Sequence, residues 1–340
     1  MKPAPPQSPH KPRKQLTERD IAILLEIARL RFLTRLDIAT FPACADVSES
    51  YLRKILATLA GGKDTQPNQY LCRFPRPQTS RGSIEKVYTL GALGRTYLRD
   101  ELSEQVDWWH GPGKVSAHSF SYLLHQLTLS RLVCAARSWV STQSQFTLIE
   151  ELLCYELSRR PEAVTGETLE DQTPLPVVPD AWLLFENADG GRYPLLLEID
   201  RGTEYKERFK QHIHSRVHFI LSGDYSRFFG VEAVCIAYIT TGITPEYRRI
   251  RLERMRQWTQ EVVQAEISEK NRQAWSARFR FTSLAYEEIY QLAHALFSEN
   301  VWQSPDNETL MPLWSKTPQL PPEENDHGAD DFFDEDLASD

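Results

Sequence analysis

The chain has 340 residues, of which 41% are hydrophobic, and a formal net charge of −8 at pH 7. This length allows two domains with full cores, while the absence of any run of eighteen apolar residues and of a signal-peptide segment argues against a membrane-spanning or exported protein. The five cysteines are scattered without a Cys-x-x-Cys pair, so neither a zinc site nor a disulfide framework is indicated, and a cytoplasmic location is expected.

Charge is distributed unevenly along the chain. After Lys316 there are nine acidic residues and no Lys or Arg, which predicts a disordered acidic tail over residues 316–340. Residues 1–100 instead hold 17 Lys and Arg against 9 Asp and Glu, a net charge of +8. Such asymmetry indicates a nucleic-acid contact near the N-terminus, the alternative being a basic surface that only aids solubility. Residues 1–14, rich in Pro and basic residues, are predicted to be a disordered basic arm.

Three helices are predicted after the arm. Thr17 can cap the first, whose apolar residues recur at helical spacing as far as Ala28. A short second helix is expected near Thr34–Thr40, and the third spans Ser48–Leu59 before a Gly-Gly pair.

A basic hairpin is predicted next. Its strands are Tyr70–Arg76 and Lys86–Leu90, and a helix over Ala92–Leu102 closes the unit. This order over residues 15–105 is that of a winged helix-turn-helix domain, whose third helix enters the major groove of DNA while the wing contacts the backbone. We therefore expect double-stranded DNA as the partner, with protein contact as the alternative. The predicted DNA-binding residues are Tyr51, Arg53, Lys54, Arg76, Arg81 and Lys86.

A second domain is predicted over residues 117–315. The predicted elements are a long helix Ala117–Val140, a strand Phe146–Leu153, a hairpin, a helix Thr203–Leu221, a strand Val231–Thr240, a charged helix Pro245–Lys270, a strand Phe279–Thr282 and a helix Tyr286–Phe297. The charged helix is expected to be a solvated covering element, and His118 and His125 on the long helix are expected to be structural. The fold class is thus α/β, an N-terminal winged helix-turn-helix followed by a restriction-endonuclease-like αβββαβ core.

The hairpin of the second domain carries the candidate chemistry. Asp180 opens its first strand, while Glu198 and Asp200 close the second and, as residues i and i+2, project from one face. Three carboxylates at one end of a buried sheet are costly unless a hard cation lies among them, which suggests Mg²⁺ acting on a phosphodiester. The alternative is that these carboxylates cap loops or pair with Arg201.

This hairpin resembles the PD-(D/E)XK nuclease signature, which is Pro-Asp, a hairpin, and then Asp/Glu-x-Lys. Pro179-Asp180 and Glu198-Ile199 fit, but Asp200 stands at the lysine position. The resemblance implies that Asp180 and Glu198 hold the metal, with Asp200 a third ligand or a proton acceptor. Lys206 or Lys210 on the next helix would replace the lysine that stabilises developing phosphate charge.

The whole chain resembles the replication-relaxation family of plasmid and integrative-element proteins over residues 15–315. The resemblance lies in Leu16–Asp20, Val87–Gly91, His125–Leu127, Pro179–Ala181 and, most specifically, Glu198–Glu204. It implies a winged helix feeding a nuclease-like domain that acts in DNA relaxation or replication initiation, with a relaxase or a replication initiator as a further partner. It also implies that Asp200 is normal for the family. The expected function is DNA binding in plasmid replication or mobilisation with metal-dependent nicking; the alternative is a non-catalytic DNA-binding regulator with a degenerate nuclease fold.

Overall fold

The computed structural model describes residues 15–314, except for residues 62–68, 75–77, 80–81, 84, 107–119, 159–164, 167–174, 177, 203, 243, 286–287 and 290. The predicted basic arm and acidic tail lie outside the described residues, as do Arg76, Arg81 and His118. Within the described residues the chain is a mixed α/β protein with a three-stranded and a five-stranded sheet, which confirms the α/β part of the predicted fold class. No helix in this part of the chain combines the length and the apolar character needed to cross a membrane.

The N-terminal part packs helices against the three-stranded antiparallel sheet, ordered β1–β5–β2. Its elements are α1 (Glu18–Leu30), β1 (Leu33–Thr34), α2 (Arg35–Ala39), α3 (Glu49–Leu59), β2 (Leu71–Phe74), β3 (Gln78–Thr79), β4 (Gly82–Ser83), β5 (Val87–Leu90) and α4 (Ala92–Leu102). The side chains of Thr17, Thr34 and Ser48 accept backbone N–H groups at the starts of α1, α2 and α3. These caps satisfy donors that the first helical turn leaves unpaired, which is why the helices begin there.

The five-stranded sheet follows, ordered β12–β11–β10–β9–β6. Its elements are α5 (Phe120–Thr142), β6 (Phe146–Leu153), α6 (Cys154–Leu157), β7 (Thr165–Gly166), β8 (Leu175–Pro176), β9 (Ala181–Asn187), β10 (Arg192–Asp200), α7 (Lys206–Leu221), α8 (Asp224–Phe229), β11 (Cys235–Thr240), α9 (Pro245–Glu266), α10 (Arg272–Ser276), β12 (Phe279–Ser283) and α11 (Ala293–Ser298). The strands β6, β9 and β10 are antiparallel, whereas β10, β11 and β12 are parallel.

Side-chain alternation along the central hairpin buries both faces of this sheet. Leu183 and Leu197 join one apolar cluster with α5, while Trp182 and Leu196 join another with α7 and α9. Because both faces are covered there, β9 and β10 are apolar almost throughout, and their polar residues lie near the strand ends.

Helix α5 ties the two predicted domains together. The hydroxyl of Ser130 donates to the carbonyl of Leu30 at 2.8 Å, and Arg137 bridges Glu26 at 2.8 Å and Glu151 at 2.7 Å. Residues of α1, α3, α5 and the large sheet belong to one continuous apolar cluster. The predicted domains therefore share part of their core.

The helix predicted over Pro245–Lys270 is present, but the prediction that it is solvated is wrong. The helix ends at Glu266, and Met255, Trp258, Val262 and Val263 on it are buried against the sheet. Arg251 and Arg256 are also buried, because each guanidinium finds an acceptor, Asp200 for the first and the carbonyl of Ser304 for the second. Paired arginines allow a strongly charged sequence to lie in the interior.

Other boundaries also differ from the predictions. The strand predicted from Val231 begins at Cys235, because the preceding turn and α8 leave Val231 and Val234 buried outside the sheet. The helix predicted over Tyr286–Phe297 is a regular helix only over α11. Residues 286–287 and 290 of the predicted range lie outside the described residues.

Candidate functional site

A cavity of about 410 Å³ opens where β9 begins and β10 ends. The last residue pair between these antiparallel strands is Ala181 with Leu197. Asp180 precedes Ala181 and Glu198 follows Leu197, so the two acidic residues are neighbours at this end of the sheet. Four acidic and four basic side chains line this cavity: Asp180, Glu198, Asp200, Glu204, His125, Arg201, His212 and Arg216. The three carboxylates of the hairpin thus lie in one cavity together with cationic groups.

Asp180 is held by two contacts. Its carboxylate accepts the backbone N–H of Ile199 at 2.8 Å, and Nε2 of His125 lies 3.2 Å from it. Its side chain is 18% exposed, so one side of the carboxylate faces the cavity. His125, expected to be structural, is therefore a cavity residue that orients Asp180.

Glu198 lies against the guanidinium of Arg216 from α7. Burial raises the pKa of Glu198, the negative charge of Asp180 raises it further, and Arg216 only partly offsets these effects. A carboxyl group in this state binds a proton or a cation readily.

Asp200 is engaged on both oxygens. Nε and Nη2 of Arg251 lie 2.9 and 2.8 Å from them, and the N–H of Gly202 donates at 3.1 Å. The side chains of Asp200 and Arg251 are each 7% exposed. The alternative expectation is that the carboxylates cap loops or pair with Arg201. Asp200 does accept the loop N–H of Gly202, but the arginine that binds it is Arg251.

The two predicted lysines lie elsewhere. Nζ of Lys206 and Nζ of Lys210 are 2.9 and 3.4 Å from Glu261 of α9, and neither is among the residues that line the cavity. The cation beside Glu198 is Arg216. Sequence analysis missed it, although Arg216 lies seven residues after Phe209 and so falls on the buried face of α7.

These contacts determine which residues of the cavity are available as ligands for a metal ion. Asp180 and Glu198 offer the oxygen donors that Mg²⁺ prefers, and Mg²⁺ is commonly held by one or two carboxylates. Both oxygens of Asp200 accept hydrogen bonds from Arg251, so this carboxylate is less available to an ion than the other two. The donor set therefore fits an ion held chiefly by Asp180 and Glu198.

The turn after β10 requires a glycine. Gly202 has φ +70°, and a Cβ there would lie 2.0 Å from the hydroxyl oxygen of Tyr247, which itself donates to the carbonyl of Gly202 at 3.1 Å. This contact fixes the turn between the cavity residues and α9. It gives a physical reason for glycine after Asp200-Arg201.

We predict that Gly202→Ala destabilises the protein more than Gly223→Ala. Both glycines have positive φ, so the backbone cost of roughly 1–2 kcal/mol is common to them. Only Gly202 has a neighbour within 4 Å, so its replacement also breaks the Tyr247 hydrogen bond, at about 1 kcal/mol more. Urea denaturation compares the two; equal losses would contradict the assigned contact.

Two exposed basic residues, Arg53 and Lys54, lie on α3, where Arg53 pairs with exposed Glu49. Tyr51 is 52% exposed, the side chain of Arg53 is 65% exposed, and Lys54 is exposed beside them. Arg35 contacts both Glu49 at the start of α3 and Glu85, which precedes exposed Lys86. Arg35 thereby links the start of α3 to the residue before Lys86. The four described members of the predicted DNA-binding set are all exposed.

Comparison with known proteins gives one match. The family model described as replication-relaxation matches residues 24–231, which is more than half of the chain and includes α3, Asp180, Glu198 and Arg216. Comparison with curated proteins and with solved structures finds no match. The chain belongs to the replication-relaxation family.

Proposed function

We propose that this protein binds duplex DNA through a winged helix-turn-helix and acts in the replication or relaxation of plasmids or other mobile elements. The observation that carries the proposal is the exposed face of α3, with Tyr51, Arg53 and Lys54 on a helix whose opposite face is buried. The order of α1, α2, α3 and the β2–β5 pair supports the winged-helix proposal, and in winged helix-turn-helix proteins the third helix enters the major groove. The net charge of +8 over residues 1–100 favours contact with phosphates.

We predict that Lys54→Glu weakens binding of the full-length chain to a fluorescent duplex by about tenfold or more at low salt. A reversed charge on the DNA-facing helix turns a phosphate attraction into a repulsion. The matched control is Lys270→Glu, an exposed lysine far along the chain after α9. Fluorescence anisotropy should find the control close to wild type. Similar losses in both variants would mean that general charge, not α3, governs binding.

A second proposed activity is metal-dependent DNA nicking by the cavity. The succession of α5, β6, β9, β10, α7 and β11, with only short elements between β6 and β9, supports a restriction-endonuclease-like core, and the cavity lies where β9 begins and β10 ends. Asp180 and Glu198 would hold Mg²⁺, which when bound would neutralise phosphodiester charge. His125 orients Asp180, and Arg216 supplies the cation that the motif lysine would otherwise supply. Asp200 then positions α9 through Arg251.

A plasmid nicking assay separates this activity from the non-catalytic alternative. If the cavity is a nuclease site, the wild type nicks supercoiled plasmid with Mg²⁺, and Asp180→Ala loses nicking but keeps its affinity for duplex. Lys206→Ala is the matched control, because Lys206 pairs with Glu261 outside the cavity. No nicking by the wild type, or equal nicking by Asp180→Ala, would leave a regulator that retains the fold alone. A relaxase or replication initiator remains the proposed protein partner in either case.

A further inference from the structure

A cluster of two histidines and a glutamate lies where the second half of α7 meets the end of α9. His214 and His218 are one helical turn apart, and their ring centroids are 4.3 Å from each other. Nε2 of His214 is 3.2 Å from one oxygen of Glu266, and Nε2 of His218 is 3.4 Å from the other. Glu266 is the last residue of α9. Each of the two imidazoles therefore directs its own Nε2 atom to the carboxylate of Glu266.

The geometry is that of ligands converging on a point. One atom from each residue can be chosen so that all three lie within 4.8 Å of one another, the arrangement that can hold a metal ion. Nε2 of His214 is buried and has no well-aligned hydrogen bond, even though Glu266 lies close to it. An imidazole nitrogen that lies this close to a carboxylate can bind a metal ion together with it.

The cluster is distinct from the cavity. Arg216, which faces Glu198, lies two residues from His214 and so points about 200° away around the helix. His218 is 46% exposed and Glu266 is 27% exposed, so solvent reaches the cluster from outside. An ion could enter there without passing the acidic cavity.

We propose that His214, His218 and Glu266 bind one transition-metal ion, Zn²⁺ in the first instance. Histidines at i and i+4 present two imidazoles on one helical face, and a carboxylate completes a three-ligand site that leaves a position for water. Two nitrogen donors favour Zn²⁺ over Mg²⁺, which prefers oxygen. The ion links the second half of α7 to the end of α9. Since α7 carries Arg216 and α9 carries Arg251, the ion stabilises the two helices that hold the cavity carboxylates.

The test uses untagged full-length protein, stripped with chelator and titrated with Zn²⁺ by calorimetry. His218→Ala and Glu266→Gln remove partly exposed ligands and should leave the fold intact; His294→Ala is the control, since His294 lies on α11 near Thr142. We expect one tight site per chain in wild type, in His294→Ala and in Asp180→Asn, and affinity at least tenfold weaker in the two ligand variants. Zn²⁺ should also raise the melting temperature of the wild type by mass action.

Co²⁺ gives a second readout. A site with two imidazoles and a carboxylate should give a visible absorption band in the wild type that Zn²⁺ displaces and that His218→Ala lacks. Circular dichroism confirms that each variant is folded. Absence of a tight site in the wild type, or equal Zn²⁺ affinity in wild type, His218→Ala and Glu266→Gln, would overturn the proposal. Loss of binding in Asp180→Asn alone would assign the ion to the cavity and would equally overturn it.

Discussion

Replacing Arg251 with methionine is expected to lower the free energy of unfolding by about 3–5 kcal/mol, the usual cost of removing one member of a buried ion pair. Both oxygens of Asp200 are bound by this guanidinium, and the two side chains are almost completely buried. Without Arg251, the carboxylate of Asp200 stays in the interior. Of the hydrogen bonds described above, it then keeps only the one from the N–H of Gly202. Urea denaturation followed by circular dichroism measures the loss.

Two further variants show whether the buried charge is the cause. Arg249→Met changes the same helix two residues away, where the ion pair with Glu246 is exposed, so we expect little change. Combining Arg251→Met with Asp200→Asn removes both charges and should recover a large part of the loss. If Arg251→Met costs no more than Arg249→Met, the ion pair does not hold β10 to α9.

The stability of the protein is expected to fall as pH rises from about 4.5 to about 8, through the titration of Glu198. Burial and the charge of Asp180 raise the pKa of Glu198 in the folded protein to about 8, against an ordinary value of 4.5. Between these values the folded chain binds more protons than the unfolded chain. The free energy of unfolding therefore decreases with rising pH, by at most about 1.4 kcal/mol per pH unit, and this contribution is fully present only below the ordinary pKa.

Other groups also titrate, so the measured quantity is a difference. The unfolding free energy of the wild type minus that of Glu198→Gln should decrease between pH 5 and pH 8, because glutamine does not titrate. Asp180→Asn should make the wild-type slope shallower, since one cause of the raised pKa is then removed. Parallel curves for wild type and Glu198→Gln would show that Glu198 is an ordinary carboxylate.

Much of the secondary structure is predictable because local signals agree with the fold. The strand at Phe146–Leu153 and the helix at Ala92–Leu102 have the predicted bounds. Thr17 and Ser48 cap the helices for which they were proposed. Capping and alternation are local properties, so they can be inferred without knowledge of distant contacts.

The burial of α9 was missed for a physical reason. Its many charged residues suggest solvation, yet Arg251, Met255, Trp258 and Val262 recur at spacings of four and three and form one face. Arg251 lies on that face because Asp200, fifty-one residues earlier, supplies its partner. Composition cannot reveal such a partner.

The candidate site was predictable only in part, because its carboxylates follow from local strand geometry whereas their cationic partners do not. The hairpin and the i, i+2 rule bring Asp180, Glu198 and Asp200 to one cavity, as the structure shows. Their cations come from α7 and α9, and only tertiary packing distinguishes Arg216 and Arg251 from Lys206 and Lys210. The lysines are partly exposed and pair with Glu261, whereas the arginines are buried against the carboxylates.

The salt dependence of DNA binding tests the central claim most directly. The affinity of the full-length chain for a duplex is measured by anisotropy across a series of salt concentrations, for wild type, Lys54→Ala and Lys270→Ala. Each phosphate contact contributes roughly 0.9 to the slope of log affinity against log salt. We predict a steep negative slope for wild type and Lys270→Ala, and a slope shallower by about one unit for Lys54→Ala. Wild-type affinity that is independent of salt, or an unchanged slope in Lys54→Ala, would contradict DNA binding through α3.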